Sequence, residues 1–493
     1  MTTLRTTLSH LQRRCLAAGL IALLFVIMWA SVPLARASAP PSVVLIFVDD
    51  LGYGDLGSYG SPEIATPRLD RMAREGLRAT SFYVASPVCS ASRASLLTGR
   101  YPHRNGTTGV YFPGAKGLAH EEVTLAELLR TANYATAAIG KWHLGDQADS
   151  LPTSHGFDSY FGIPYSNDMW INPNHPIAAD AVFTLGYNRE RALADQAFIK
   201  SVAADRAALS KRGIKEYAPL MAGSEVIEYP ADQATLTRRY FDRALDFIER
   251  TGDQPYFLFL TPAMPHVPLF ATDAFLGRSR AGAYGDTVEE IDWNVGRLLD
   301  YLDQSGKGEN TLVIFLSDNG PWLEKGVHAG SSGPFRDGKF SVYEGGVRVP
   351  ALFRWPTRIP ACSTSREMLV STDLLPTIAA LAPLPVEHNR LDGIDLGGHL
   401  AAPENPLKRP PHYYDQGGKV VGVRQGPWKY LPSGGGRFRS DTDPAELYHL
   451  GEDPAERFNL AARHPDLVAK LQSLIDERIS KYVPPSSRAS SRK

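Results

Sequence analysis

The sequence predicts an α/β fold on a large, mostly parallel sheet, and three observations carry that prediction. Four short apolar runs, rich in β-branched or aromatic residues, are spread between residues 42 and 316. Amphipathic helical patterns stand between them, the alternation that produces parallel sheets. Polar residues follow every run, where such sheets bind ligands, beyond the carboxyl ends of the strands.

The first run covers residues 42–48 and reads as a strand buried on both faces. Asp49-Asp50-Leu51-Gly52 breaks it. Thr66-Pro67 then opens a helix with Leu69, Met72, Ala73 and Leu77 on one face and a stop near Gly76. A helix over 124–131 leads into a second strand at 135–139, before Gly140-Lys141-Trp142-His143. A helix over 235–250 precedes a third strand at 256–260, which runs on to His266. A helix over 287–302 precedes the fourth strand, 311–316, and Ser317-Asp318-Asn319-Gly320 follows. Residues 165–232 are irregular and read as a loop-and-helix insertion above the sheet. Beyond residue 400 the pattern changes. Three short strands near 420–424, 428–431 and 446–450, then a helix carrying Leu467, Leu471 and Ile475, predict a smaller antiparallel sheet plus helix. Pro465 falls in that helix's first turn, where its missing N–H costs little.

The 493 residues are 43% hydrophobic and 21% charged, the composition of a globular protein with a large core. A net charge of −1 gives no ground for a nucleic-acid partner. Residues 1–37 have a signal-peptide layout: Arg5, Arg13 and Arg14, an apolar run to Leu34, then Ala35-Arg36-Ala37. Export to the periplasm or medium follows if it is cleaved; the apolar run also approaches the length of a retained membrane anchor. Cleavage would remove four arginines and no acid, moving the formal charge to −5, and would leave only Cys89 and Cys362. The chain thus divides into 1–37, a main α/β domain at 41–400, a small α+β part at 401–482, and a Pro/Ser/basic tail at 483–493 expected to be disordered.

Asp49, Asp50, Asp318 and Asn319 close two buried strands. Singly, such residues are turn formers or caps. Together they form an all-oxygen set suited to Ca²⁺ or Mg²⁺, whereas zinc more often recruits His and Cys. Lys141 and His143 would point the same way from an extended segment. With Arg93, His266 and Lys339 they would make a positive crevice for a tetrahedral oxyanion. Cys89 precedes Ser90-Ala91-Ser92-Arg93 and a short helix with Leu96 and Leu97. A helix N-terminus and a nearby arginine would make its thiol reactive. A small buried cysteine, or a disulfide to Cys362, would use the same residue otherwise.

Cys89-Ser90-Ala91-Ser92-Arg93 with Leu96-Leu97-Thr98-Gly99-Arg100 resembles the signature of the type I sulfatases, and Gly140-Lys141-Trp142-His143-Leu144-Gly145 resembles their second signature. Val48-Asp49-Asp50-Leu51-Gly52, Ser317-Asp318-Asn319-Gly320 and 344–350 are similar to the family too. His155-Gly156-Phe157 with 162–166 is closest to the arylsulfatase A-like branch. The resemblance implies an alkaline-phosphatase-like fold and hydrolysis of aryl or carbohydrate sulfate esters. It implies that a maturase oxidises Cys89 to formylglycine, whose gem-diol attacks sulfur and then expels sulfate from a covalent intermediate. Many members carry Pro where this chain has Ala91, but alanine also occurs there among bacterial sulfatases, so conversion is expected. One Ca²⁺ per chain is implied on Asp49, Asp50, Asp318 and Asn319, with residue 89. By the same carry-over Arg93 and Lys141 hold the formylglycine, and His143 is the base. His266 and Lys339 contact the sulfate, one of them protonating the leaving oxygen, while Ser166 and Asp168 line the substrate side. Two other readings share this scaffold: a phosphate or phosphonate ester hydrolase, and a noncatalytic binding homologue.

Overall fold

A computed structural model describes residues 40–382, 384–387 and 390–482; the expected signal peptide and the expected disordered tail lie outside the described residues. In chain order the large sheet's strands are β1 Ser42–Val48, β2 Leu77–Tyr83, β3 Ala135–Gly140, β4 Ser159–Gly162, β5 Ile177–Phe183, β6 Leu220–Ala222, β7 Glu225–Tyr229, β8 Tyr256–Thr261, β9 Thr311–Ser317, β10 Arg348–Arg354, β11 Ser363–Ser365 and β12 Leu369–Val370. They order as β11-β2-β10-β9-β1-β8-β3-β4-β6-β7-β5, with β12 on β2. The four expected strands are neighbours at the centre, β9-β1-β8-β3, all parallel. Their apolar runs are buried on both faces, so their sequences show no polar alternation.

The smaller sheet is antiparallel, β13 His412–Gln416, β14 Lys419–Gln425, β15 Trp428–Leu431 and β16 Glu446–His449, in that order. Helix Pro465–Tyr482 packs on it through Leu471 and Ile475. The mixed, mostly parallel sheet with a small antiparallel sheet and helix is as the sequence predicts. Buried Lys429 of β15 ties the two parts together. Its Nζ donates to Val342 O at 2.7 Å and pairs with Glu344 and Glu456 at 3.1 and 2.8 Å. Among the described residues no helix is long and apolar enough to cross a membrane.

Three expectations need correction. The first helix is Pro67–Glu75, and Leu77 begins β2 rather than extending the helical face. A Cβ on Gly76 would lie 2.0 Å from Phe353 O, so only glycine permits this close passage against β10. The second correction concerns residues 165–232, which are not only loop and helix. They add β5, β6 and β7 to one edge of the sheet. β6 has three residues and β5 buries only Ala178, so neither shows a buried-strand pattern. Third, β10 was not foreseen. Pro350 argues against an internal strand, yet β10 lies between β9 and β2. The register against β2 shifts between Val349 and Ala351, where the proline sits, so the ladder is interrupted at the residue that cannot donate.

Candidate active site

Direction of strand travel gathers the site. β1, β3, β4, β8 and β9 run parallel, and β2 runs with them because both β2 and β9 are antiparallel to β10. Their carboxyl ends therefore share one edge. Asp49 and Asp50 follow β1, Cys89 follows β2, Lys141 and His143 follow β3, Ser166 follows β4, His266 follows β8, and Asp318 and Asn319 follow β9. Lys339 precedes β10, whose amino end lies at that same edge.

The exit from β3 depends on glycine. Gly140 has φ +114°, and a Cβ there would lie 2.0 Å from Thr261 O. This close passage lets Lys141 N donate to Thr261 O at 2.7 Å. Lys141 and His143 are not on an extended segment as expected. His143 sits at φ +61°, held by its N–H on Pro164 O at 3.1 Å, with Trp142 buried in the core between them. Asp50 also has a positive φ, 61°. Non-glycine residues in this region are strained, and such strain gathers at functional sites.

The charged groups interlock. Arg93 donates to Asp318 Oδ2 through Nε at 3.0 Å and Nη2 at 2.8 Å, and to Lys141 O through Nη1 at 2.9 Å. Lys141 Nζ pairs with Asp49. Lys339 Nζ pairs with Asp50 Oδ1 at 2.6 Å. Asp50 N donates to Asp318 Oδ1 at 3.2 Å, and Asn319 Nδ2 to Asp50 Oδ1 at 2.7 Å. Burial pushes the Asp49 carboxyl up, but Lys141, His266, Lys339 and Arg93 outweigh it and hold it far below the usual range. Asp318 goes the other way: burial and the Asp49 charge push it up to about 7 against Arg93. Three carboxylates this close cannot all stay ionised cheaply without more positive charge.

Asp49, Asp50 and Asp318 each offer an oxygen within 4.8 Å of the others. Asp49 Oδ1 and Asn319 Oδ1 are buried with no hydrogen-bond partner among the described residues. Buried acceptors are rarely left unmatched. An all-oxygen donor set with two acceptors to spare fits a hard divalent cation.

The two histidines are fixed in distinct ways. His143 Nε2 donates to Tyr111 O at 3.0 Å, which leaves Nδ1 as the acceptor, buried and without a partner among the described residues. Burial, then Lys141 and Arg93, push its pKa well down, so the ring is neutral with a free lone pair. His266 Nδ1 lies 2.5 Å from Val267 O and 3.1 Å from Asn167 Oδ1, while Nε2 is 3.7 Å from Asp50 Oδ2. Burial and Lys339 lower its pKa, partly offset by Asp49 and Asp50. Burial would strip the charge from Lys339, but Asp50, Cys89, Asp49 and Asp318 together outweigh it and keep the ammonium protonated.

Cys89 opens the helix Cys89–Thr98, every residue of which is buried. Among the described residues it forms no disulfide, and Cys362 is free and exposed. The expected reactive thiol is corrected. Burial pushes the Cys89 pKa up, aided by Asp49 and Asp318, and Lys141 and Lys339 do not recover it. An unmodified thiol here is a poor nucleophile.

All the expected residues but one meet in this cluster. Ser166 Oγ is 3.4 Å from Lys141 Nζ and from the His266 ring. Asp168 is half-buried and no hydrogen bond or ion pair joins it to the others. Two residues were missed. Asn167 clasps His266, and its Nδ2 is anchored on Gln233 Oε1 at 3.0 Å and Pro268 O at 2.9 Å. Trp322 packs 5.6 Å from the His266 ring and 4.9 Å from Lys339 Nζ, while Lys325 Nζ sits 4.0 Å from its ring centre. Its Nε1 donates to Glu324, which pairs with Arg437. The indole therefore forms an aromatic wall beside the cationic pair. Neither an asparagine in a loop nor a lone tryptophan after Asn319-Gly320-Pro321 carries a periodic signal.

Asn167→Ala is expected to lower kcat about tenfold by loosening His266. It should also cost ~1–3 kcal/mol through the unmatched Gln233 amide. Asn167→Asp, which keeps the acceptor for His266 Nδ1, should retain more activity than the alanine variant. Equal losses in steady-state assays would contradict this role.

Residues 41–384 match the Sulfatase family, and residues 333–482 match N-sulphoglucosamine sulphohydrolase, C-terminal. The chain is 39% identical to arylsulfatase A of Homo sapiens over 464 residues, covering 88% of this chain and 87% of that protein. It is 35% identical to N-acetylgalactosamine-6-sulfatase of Canis lupus familiaris over 515 residues, covering 94% and 90%. The crystal structure of Ps i-CgsB in complex with k-i-k-neocarrahexaose is similar with a TM-score of 0.73 and 30% identity, covering 91% of this chain and 94% of that one.

Proposed function

The chain belongs to the sulfatase family and is a sulfuric ester hydrolase, and on that premise we propose that it cleaves its esters at residue 89, matured to formylglycine beside one bound Ca²⁺. The observation that carries this reading is the convergence of Cys89, three carboxylates, two lysines, an arginine and two histidines on one strand edge. Residue 89 would supply a hydrated aldehyde as the nucleophile. Ca²⁺, held by Asp49, Asp50, Asp318 and Asn319, would supply positive charge for the ester oxygens.

The chain's own residues do the rest. Arg93 and Lys141 fix the carboxylates and hold residue 89. Lys141 and Lys339 bring fixed positive charge to the transferring group, where preorganised charge lowers a barrier most. His143 Nδ1 takes a proton, because Tyr111 O occupies the other nitrogen. The leaving oxygen takes its proton from the His266–Lys339 pair, whose positions Asn167 and Asp50 set. Ser166, Asp168 and Trp322 line the alcohol side. The aromatic wall with Lys325 beside it supports a ring-bearing substrate, an aryl or saccharide sulfate, and the neocarrahexaose bound by Ps i-CgsB adds weight to a sulfated saccharide. The signal-like N-terminus supports export, and 41–400 with 401–482 serve as catalytic and accessory parts.

The test compares kcat/KM for the sulfate and phosphate esters of one alcohol, then a panel of sulfated saccharides scored by sulfate release. We expect sulfate to be preferred and at least one saccharide to exceed the aryl ester. Preference for phosphate would overturn the sulfate reading in favour of a phosphohydrolase. No hydrolysis at all would favour a binding homologue.

A further inference from the structure

Away from the catalytic edge, a cavity of about 420 Å³ opens where β2 of the large sheet meets β14 of the small one. Arg348, Arg366, Arg409 and Arg424 line it against a single carboxylate, Glu367. None of the catalytic cluster lines it.

Arginines that only join two layers are matched by carboxylates and spend their donors on the protein. These do so in part. Arg348 gives Nε and Nη2 to Thr80 O and Nη1 to Glu344. Arg424 gives Nε to Gly426 O and Nη1 to Tyr83, and Arg409 gives Nε to Met368 O and Nη2 to Asp373. That leaves Arg424 Nη2 and Arg409 Nη1 without protein acceptors among the described residues. Arg366 is exposed and its guanidinium makes no hydrogen bond or ion pair there. The carboxylates behind the wall are already shared. Glu344 serves Lys429, Arg348 and Tyr83, and Asp373 serves Arg409 and two backbone N–H groups. The lining therefore carries an excess of positive charge with spare, directional donors, in a volume of the size that ligand sites occupy.

We propose that this cavity is a second, noncatalytic anion site that takes a sulfate or carboxylate group of an acidic oligosaccharide. Guanidinium forks suit both oxyanions, and an extended polyanion held here would raise its local concentration near the catalytic edge.

The test measures binding of a short dextran sulfate to the full chain carrying Cys89→Ala. Arg366→Glu should weaken binding about tenfold or more, and Glu367→Gln should tighten it. Lys470→Glu, exposed on the helix Pro465–Tyr482, should leave it unchanged. Neutral dextran should not bind, and an oligogalacturonate should compete with the dextran sulfate. Placed in the Cys89 parent, Arg366→Glu should leave kcat/KM for a small aryl sulfate unchanged. Undiminished binding by Arg366→Glu, or an equal loss with Lys470→Glu, would overturn the proposal.

Discussion

Cys89→Ala leaves a folded protein that does not turn over. The side chain is buried and, among the described residues, forms no disulfide and no hydrogen bond, so the deletion removes one small group from a buried helix start. Its cost in stability should be about 1 kcal/mol, near the centre of the range for point mutants. The chemical cost is of another order. Removing the nucleophile of a cooperating constellation typically loses ~10⁴–10⁶ in kcat. Cys89→Ser separates the roles further. One hydroxyl at this position suffices to take up sulfate but not to expel it, so at most one equivalent of alcohol should appear before the reaction stops. Rapid-quench assays of alcohol release check both variants against near-unchanged melting curves. Sustained turnover by either one would remove residue 89 from the mechanism.

Asp318→Asn strikes both halves of the site. Asp318 and Arg93 are each fully buried and bonded twice. Breaking a buried pair by removing one charge costs ~3–5 kcal/mol, because the remaining guanidinium is left uncompensated. The substitution also removes a charged ligand of the proposed cation from the oxygen set, so kcat/KM should fall about a hundredfold or more. Binding to the native state raises stability by mass action. Calcium should therefore raise the melting temperature of the chelated parent and fail to do so in Asp318→Asn. Chelation should lower the parent's activity, and calcium should restore it. Full activity in Asp318→Asn, with an undiminished calcium response, would contradict the assigned ligand set.

Most of the site was legible because strand ends announce themselves. Asp49, Lys141, His266 and Asp318 each follow an apolar run that could only be a buried strand, and parallel packing of those runs places them together. The helix start at Cys89 was legible from Leu96, Leu97 and Gly99. Its strand was not, since β2 alternates in burial over its first half and only Leu77 was read, on the face of the preceding helix. β10 was hidden by Pro350, whose effect is absorbed by a register shift that no local pattern records. The protonation states were equally hidden. A helix N-terminus suggests an acidic thiol, but full burial prevails and raises the Cys89 pKa. The tautomer of His143 depends on Tyr111 O, a backbone atom contributed from elsewhere in the chain. Asn167 and Trp322 act by where they pack, which spacing alone does not encode.

The central claim is that residue 89, set in this buried charged cluster, works as an aldehyde and not as a thiol. Mass spectrometry of the tryptic peptide 79–93 from fully active protein tests it most directly. The account predicts a peptide lighter than the cysteine form by the difference between a thiol and an aldehyde carbon, in a fraction that tracks specific activity across preparations. Full activity in material whose peptide carries only unmodified cysteine would contradict it.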